Sequence, residues 1–202
     1  ESNNSACASA TLTVIRPDLT PSTLSASLLN GNIVIKDQVK NLGSANADAF
    51  SISFYLSSDN LYQSSDPLIC SRTLNGLAAA SANPTLGSIS TTCPIPANTP
   101  TGSYYIIAFA DPTNAIAESN ETNNKRASTS KINIGPDLLV SSLSVKTLGA
   151  SFEIRDVVKN QGTEAAGTFM VSYYLSADST YQSTDRLLCS RAIAGLANGA
   201  FS

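Results

Sequence analysis

The clearest pattern in this chain is an alternation of apolar and polar residues with period two. In the stretch 50–57 one face collects Phe50, Ile52, Phe54 and Leu56, and the other collects Ser51, Ser53, Tyr55 and Ser57. The stretch 169–176 repeats it, with Phe169, Val171, Tyr173 and Leu175 set against Ser172, Tyr174 and Ser176. Antiparallel sheets with one buried and one solvated face have this alternation. The pattern therefore predicts half-buried strands.

Further strands are predicted on both sides of these stretches. Apolar residues alternate at Ile33, Ile35 and Val39, and again at Phe152, Ile154 and Val158. The turn sequences Asn41-Leu42-Gly43 and Asn160-Gln161-Gly162 follow, each with a glycine available for positive φ. Other strands are predicted near residues 22–29, 68–74, 88–94, 103–110 and 126–134. About seven strands predict an all-β fold of antiparallel sandwiches, immunoglobulin-like or fibronectin-III-like.

The chain also contains an internal repeat. Residues 17–83 align without a gap with residues 136–202, nearly half of the aligned positions are identical, and both copies open with Pro-Asp-Leu. Residues 1–16 resemble residues 118–134. We therefore predict tandem domains: 1–16 as the terminal strand of a preceding or neighbouring repeat, 17–135 as a complete sandwich, and 136–202 as the first half of a second one. Gly135-Pro136 leaves almost no linker, so we expect end-to-end stacking.

Composition narrows the function classes. Hydrophobic residues make up 42% of the chain and charged residues 13%, which is too apolar for a disordered protein. The net charge of −3 argues against nucleic acid or an anionic membrane as partner, because there is no basic patch to neutralise phosphate. No stretch approaches the roughly 20 apolar residues of a membrane-spanning helix. These features favour an extracellular protein that does not insert into a membrane.

The absence of histidine restricts the possible chemistry. With no histidine in the chain, a Ser-His or Cys-His catalytic arrangement cannot be built. Nothing in the sequence raises a Ser-Lys pair or a carboxylate pair above an ordinary solvated surface. We therefore predict no catalytic residues, no required cofactor and no enzymatic activity.

Four cysteines, Cys7, Cys70, Cys93 and Cys189, lie outside any CxxC motif, so a zinc site is not expected. Disulfides are favoured over the alternative of four buried thiols, because the composition resembles that of extracellular proteins. We place Cys70 and Cys93 on consecutive strands of the complete repeat and predict a bond between them. This leaves Cys7 and Cys189, which we predict to pair between subunits.

Several motifs together resemble the CARDB domain, a bacterial and archaeal cell-adhesion-related sandwich. The matching features are Pro-Asp-Leu at residue 17, Val39-Lys40-Asn41-Leu42-Gly43, Phe54-Tyr55-Leu56-Ser57 with Asp59 and Asp66 after it, Gly102 before Tyr104-Tyr105, Asp111, and the stretch Glu118 to Asn124. The last of these is the most specific. The resemblance implies an extracellular adhesion or scaffolding module, often found in tandem, at the surface of a bacterium or archaeon. It does not imply catalysis.

Acidic loops are the candidate metal sites. Asp59 and Asp66 recur as Asp178 and Asp185, and hard carboxylate oxygens in a loop suit Ca2+. The alternative is that these side chains cap turns by accepting hydrogen bonds from nearby backbone. The same two interpretations apply to a second group, Asp111, Glu118, Glu121, Asn123 and Asn124.

Glycosylation sequons begin at Asn3 and Asn120, so attached glycans are a further expectation.

The incomplete second repeat leaves two explanations open. Half a sandwich exposes an apolar face and unpaired strand edges, so such a chain should acquire a partner. In one explanation the sequence is a segment of a longer tandem adhesin. In the other it is a subunit that binds copies of itself head to tail, with residues 8–16 adding as a strand to a neighbour's second domain and forming a filament. A third possibility, from another functional class, is a binding module appended to a secreted enzyme.

Overall fold

The computed structural model describes residues 14–202, which contain thirteen β-strands and no helix. In the first repeat (residues 17–135) these are β1 (Leu19–Leu29), β2 (Asn32–Asn41), β3 (Phe50–Ser57), β4 (Leu68–Leu74), β5 (Ala82–Asn83), β6 (Ile89–Pro94), β7 (Gly102–Ala110), β8 (Lys125–Ala127) and β9 (Ile132–Ile134). In the second repeat (residues 136–202) they are β10 (Leu138–Leu148), β11 (Ser151–Asn160), β12 (Phe169–Leu175) and β13 (Arg186–Ile193). Every pairing is antiparallel, which confirms the all-β antiparallel prediction.

Two sheets make up the first repeat. In sheet 1, β2 pairs with β1 along one edge and with β5 and β6 along the other. Sheet 2 runs β4-β3-β7-β8, and β9 also pairs with β7. The immunoglobulin-like or fibronectin-like relationship and the tandem arrangement remain predictions.

The hairpin that starts each repeat follows from local turn chemistry. Leu29 pairs with Asn32, so Asn30-Gly31 forms a two-residue loop, and both residues have positive φ. Asn-Gly is a preferred sequence for such tight turns because both residues tolerate this conformation. In the second repeat Leu148 pairs with Ser151 around Gly149, whose φ is +63°.

The core of the first repeat lies between its two sheets. One hydrophobic cluster contains Leu19, Leu24, Ile33, Ile35 and Val39 from sheet 1 together with Phe50, Ile52, Phe54, Leu56, Ile106, Ile132 and Ile134 from sheet 2. The predicted apolar face of β3 is therefore buried. The expectation that the opposite face is solvated is wrong at Ser53 and Ser57, which are also buried. Their hydroxyls are satisfied locally: Ser53 Oγ lies 2.8 Å from Ser71 Oγ, and Ser57 Oγ donates to the Leu61 carbonyl.

Two predictions about strands need correction, and one strand was missed. The stretch 126–134 forms two short strands, β8 and β9, because Ser128 leaves the strand to accept from Ile106 N and donate to the Ser130 carbonyl. The short strand β5 was not predicted. Since β5 lies between β4 and β6, Cys70 and Cys93 are not on consecutive strands, and they belong to different sheets.

Candidate functional site

The second repeat presents an open apolar surface between two separate hairpins. Within residues 14–202, β11 pairs with β10 and makes one further bridge, Lys159 to Phe201, while β12 pairs with β13. The edge of β11 over 151–156 and the second edge of β12 are thus unpaired in the described chain. Unpaired edges are templates for a further strand. We call the apolar surface and these two edges the open face.

The first repeat shows how the equivalent surface is covered. There β6 pairs with β2 from Asn32 to Asp37, and β7 pairs with β3 from Ile52 to Ser57. The shared hairpins match in detail, including the β-bulges after Pro21 and Val140 and those after Phe54 and Tyr173. The hairpins are therefore alike, and the difference lies in what covers them.

Side-chain exposure measures this difference at aligned positions. Leu24, Ile33 and Leu56 are 3%, 0% and 2% exposed. Their counterparts Leu143, Phe152 and Leu175 are 59%, 50% and 53% exposed. Between the two hairpins lies a cleft of about 230 Å³, lined mainly by apolar residues that include Val145, Ile154 and Tyr173. Contiguous exposed apolar surfaces are often sites of interaction, which makes this surface the candidate site of the chain.

A disulfide joins the two sheets of the first repeat. Cys70 of β4 and Cys93 of β6 are bonded, with their Cα atoms 5.9 Å apart. The position aligned with Cys70 is Cys189, which is exposed and has no disulfide partner within residues 14–202. Cys7 lies outside the described residues, so its predicted bond to Cys189 stays a prediction.

Each repeat also contains an ion pair between its hairpins. Arg72 of β4 reaches Asp37 of β2 at 2.5 Å, and burial raises the pKa of Asp37 although Arg72 opposes the shift. In the second repeat Arg191 reaches Asp156 at 2.7 Å, and hydrogen bonding to Arg191 lowers the pKa of Asp156. The directions differ because desolvation is the largest effect on the pKa of Asp37, whereas at Asp156 the hydrogen bonds from Arg191 and from the Tyr173 hydroxyl outweigh desolvation.

The four aspartates predicted to bind calcium act as backbone caps in the structure. Asp59 Oδ1 accepts from Leu61 N at 2.8 Å, and Asp66 Oδ2 accepts from Gln63 N at 2.9 Å. Asp178 and Asp185 repeat these contacts with Thr180 N and Gln182 N. Over residues 14–202 no group of three or more His, Cys, Asp or Glu side chains is arranged to hold a metal. The geometry therefore matches the capping alternative for these loops.

The second acidic group connects the loop before β8 to the start of β1. Buried Glu118 accepts hydrogen bonds from Leu19 N and from Asn124 Nδ2, and its own N–H donates to Glu121. Burial raises the pKa of Glu118 to about 7. Asp111 accepts from the backbone N–H groups of two residues in its loop, and Asn123 Nδ2 donates to Asp18. These residues hold the ends of the first repeat together.

The sequon at Asn120 is exposed, although Asn120 Oδ1 accepts from Thr122 N and Oγ1. Asn3 lies outside the described residues.

The sequence analysis did not identify the two Asp–Arg pairs. The aspartate and the arginine are each identical between the repeats, and this identity was the signal that could have found them. It also gave no register for the unpaired edges of β11 and β12, because register depends on which strands meet.

The chain is similar to a known protein family and to several solved structures. Residues 16–128 match the family model described as CARDB. No curated protein matches the chain. In a crystal structure with di-metal ions, a CARDB domain from Pyrococcus furiosus is 22% identical over 61% of this chain and 94% of that chain, with a TM-score of 0.43. A domain of a predicted cell surface protein from Methanosarcina acetivorans is 19% identical over 58% and 92%, also with a TM-score of 0.43.

Proposed function

The chain belongs to the CARDB family, and we propose on that premise that it is an extracellular, non-enzymatic adhesion or structural protein whose second repeat is a strand-accepting site. The observation that supports this function is the open face. It combines an exposed apolar surface with two unpaired strand edges, and the aligned surface of the same chain is covered by strands.

The disulfide supports the extracellular location. Bonds such as Cys70–Cys93 form and persist in oxidising compartments and are rare in reducing ones. The described residues contain no helix that is long and apolar enough to cross a bilayer.

We further propose that the strand acceptor links copies of this protein head to tail. Strand addition combines main-chain hydrogen bonds along a free edge with side chains that fill alternate pockets. A head-to-tail contact does not close on itself and so produces a filament. Residues 1–16 resemble residues 118–134, which include β8 and β9, and this makes the N-terminal segment a candidate donor.

A second candidate arrangement is a longer tandem adhesin or a secreted enzyme with CARDB modules, in which other parts of one polypeptide cover the open face. The contacts between the repeats fit a stacked array: Thr101 Oγ1 donates to Glu164 at 3.0 Å, and Gly135 N donates to Thr163 Oγ1 at 2.8 Å. In this arrangement the open face is covered within one molecule and isolated molecules do not form filaments.

Sedimentation velocity on the 202-residue chain, kept under reducing conditions and measured over a concentration series, tests the self-association. We expect reversible association, with negative-stain images showing thin filaments of uniform width. L143S should weaken association at least tenfold because Leu143 lies in the open face, whereas L86S is the matched control because Leu86 is an exposed leucine of the first repeat. A chain that stays monomeric at every concentration, or that forms only shapeless aggregates, contradicts the head-to-tail proposal.

A further inference from the structure

We propose that the first repeat binds acidic polysaccharides, with Lys36 and Arg126 holding sugar carboxylates in a groove beside sheet 1. The inference goes beyond the proposed function, because the groove lies wholly in the first repeat and shares no residue with the open face. Its volume is about 460 Å³, within the roughly 300–1,000 Å³ of ligand sites in proteins.

The groove begins on the outer face of sheet 1. Leu24 and Ile35 are buried in the core, so their exposed neighbours Ser25 and Lys36 point away from it, since side chains alternate along a strand. Ser25 stands opposite Lys36 in the β1–β2 ladder, and Thr23 lies two residues before Ser25 on the same face. An ammonium group therefore projects beside two hydroxyls.

Sheet 2 and two connecting segments supply the rest of the lining. Arg126 lies on β8, at the end of sheet 2, and Thr129 lies between β8 and β9. Ser88 directly precedes β6. The groove is thus lined by two cationic side chains and four hydroxyls, and no carboxylate of residues 14–202 lines it.

Neither cation of the groove is neutralised by the described protein. The three ion pairs found in residues 14–202 involve other side chains, so Lys36 and Arg126 have no acidic partner there. The chain as a whole has a net charge of −3, which makes this pair of cations a local exception on an acidic protein. An anion can therefore bind here without displacing a carboxylate of the described chain.

The second repeat provides an internal comparison, because its aligned cation is neutralised. Arg155 aligns with Lys36 and occupies the same position in the strand ladder. There Glu153 accepts hydrogen bonds from Arg155 Nε at 3.0 Å and from Nη2 at 2.7 Å. The residue aligned with Glu153 is Val34, whose side chain cannot accept a hydrogen bond. The two repeats therefore differ by one carboxylate at this place, and only the first leaves its cation available.

The lining also indicates the chemical class of the ligand. Guanidinium and ammonium groups bind carboxylates through charge-assisted hydrogen bonds. Serine and threonine hydroxyls both donate and accept, so they match the hydroxyl groups of a sugar ring, which a simple inorganic anion does not carry in that arrangement. A uronic acid presents a carboxylate and ring hydroxyls together. Because the lining side chains are exposed, the groove leaves room for the sugar chain to continue on both sides.

Isothermal titration calorimetry on the full chain, below the concentration at which it associates, tests this proposal. The probe is a trisaccharide of galacturonic acid, the neutral control is the corresponding galactose trisaccharide, and inorganic phosphate tests for binding of any anion. We expect only the uronic acid to bind, and raised salt to weaken it because exposed charges are screened. K36A and R126A should each weaken binding about tenfold, which corresponds to the loss of one charge-assisted hydrogen bond.

Two further variants separate the site from the general effect of charge. R155A removes the aligned cation that Glu153 already neutralises, so it should leave binding unchanged. V34E gives the first repeat the carboxylate of the second and should weaken binding as much as K36A does. A loss in R155A equal to that in K36A would overturn the proposal.

Three other results would also overturn the proposal: no binding of the uronic acid, equal binding of the neutral trisaccharide or of phosphate, or unchanged binding in both K36A and R126A. L143S, which alters the open face, should bind the sugar as the wild type does. Failure of head-to-tail association and failure of sugar binding are therefore measured independently.

Discussion

Asn41 and Asn160 are fully buried, and each side chain satisfies four backbone groups. Asn41 Oδ1 accepts from Asp18 N and Gly43 N, while its Nδ2 donates to the carbonyls of Ala45 and Leu77. Asn160 makes the same four contacts in the second repeat. Gly43 is needed beside Asn41, because a Cβ there would collide with the backbone at residues 16–18. These residues close the turn after the second strand of each repeat.

At the same scale, Glu118 should make stability depend on pH. Its pKa in the folded state is about 7, above the ordinary 4.5, so the native state binds the proton more tightly than the unfolded chain does. The free energy of unfolding should therefore be highest below pH 4.5 and fall as the pH rises towards 7. E118Q should flatten this slope because glutamine does not titrate in this range, and its amide N–H can donate to Asn124 Oδ1, which has no hydrogen-bond partner among residues 14–202.

Urea denaturation of wild type and E118Q between pH 4 and pH 8 measures this effect. E153Q, at a more exposed glutamate of the second repeat, is the control and should keep the wild-type slope. An E118Q slope as steep as that of the wild type would show that Glu118 is not the group responsible.

At the scale of elements, each repeat contains two hairpins, and an Asp–Arg pair joins one hairpin to the other. Arg72 connects β4 to Asp37 on β2, and Arg191 connects β13 to Asp156 on β11. The first pair is covered by the surrounding strands, with side chains 11% and 1% exposed. In the second pair the Arg191 and Asp156 side chains are 36% and 6% exposed, and Arg191 also donates to the Tyr173 hydroxyl. The same pair is therefore tested in two environments within one chain.

R72A should lower the free energy of unfolding of the first repeat by about 3 kcal/mol, because it leaves a buried carboxylate without its partner. R191A should cost less, about 1 kcal/mol, because Asp156 keeps the hydrogen bond from the Tyr173 hydroxyl and the removal of the half-exposed Arg191 side chain lets water reach the carboxylate. Chemical denaturation of the two variants, followed by tyrosine fluorescence and circular dichroism, measures both values. Equal losses would mean that the open face is closed to solvent in solution.

At the scale of the whole molecule, the two repeats differ in how completely their apolar surface is buried. In the first repeat both sheets contribute to one large cluster, whereas the second repeat buries only Val158, Val171, Ile193 and Leu196 in its cluster. Burial of apolar surface is the main stabilising contribution in folding. The second repeat should therefore be the less stable part of the described chain.

Aligned substitutions in the two repeats test this asymmetry. I33A should lower the free energy of unfolding by about 3 kcal/mol, because it leaves a cavity in a packed core. F152A should change it by less than about 1 kcal/mol at low concentration, since half of the ring is already exposed. The measurement is denaturant unfolding below the concentration at which the chain associates. A large loss in F152A would contradict an open face in the monomer.

The sequence by itself determined the strand class, the repeat and the family. Period-two alternation is a local property of the chain. Each family motif between Pro17 and Asn124 is a short run of residues that can be recognised without knowing the fold. The tertiary structure decided which strands meet. Only the pairing of β6 with β2 places Cys93 beside Cys70, and only the lack of such pairing on β11 within residues 14–202 exposes Phe152 and Cys189. Burial depends on neighbours that are distant in sequence, so hairpins of the same register can be covered in one repeat and open in the other.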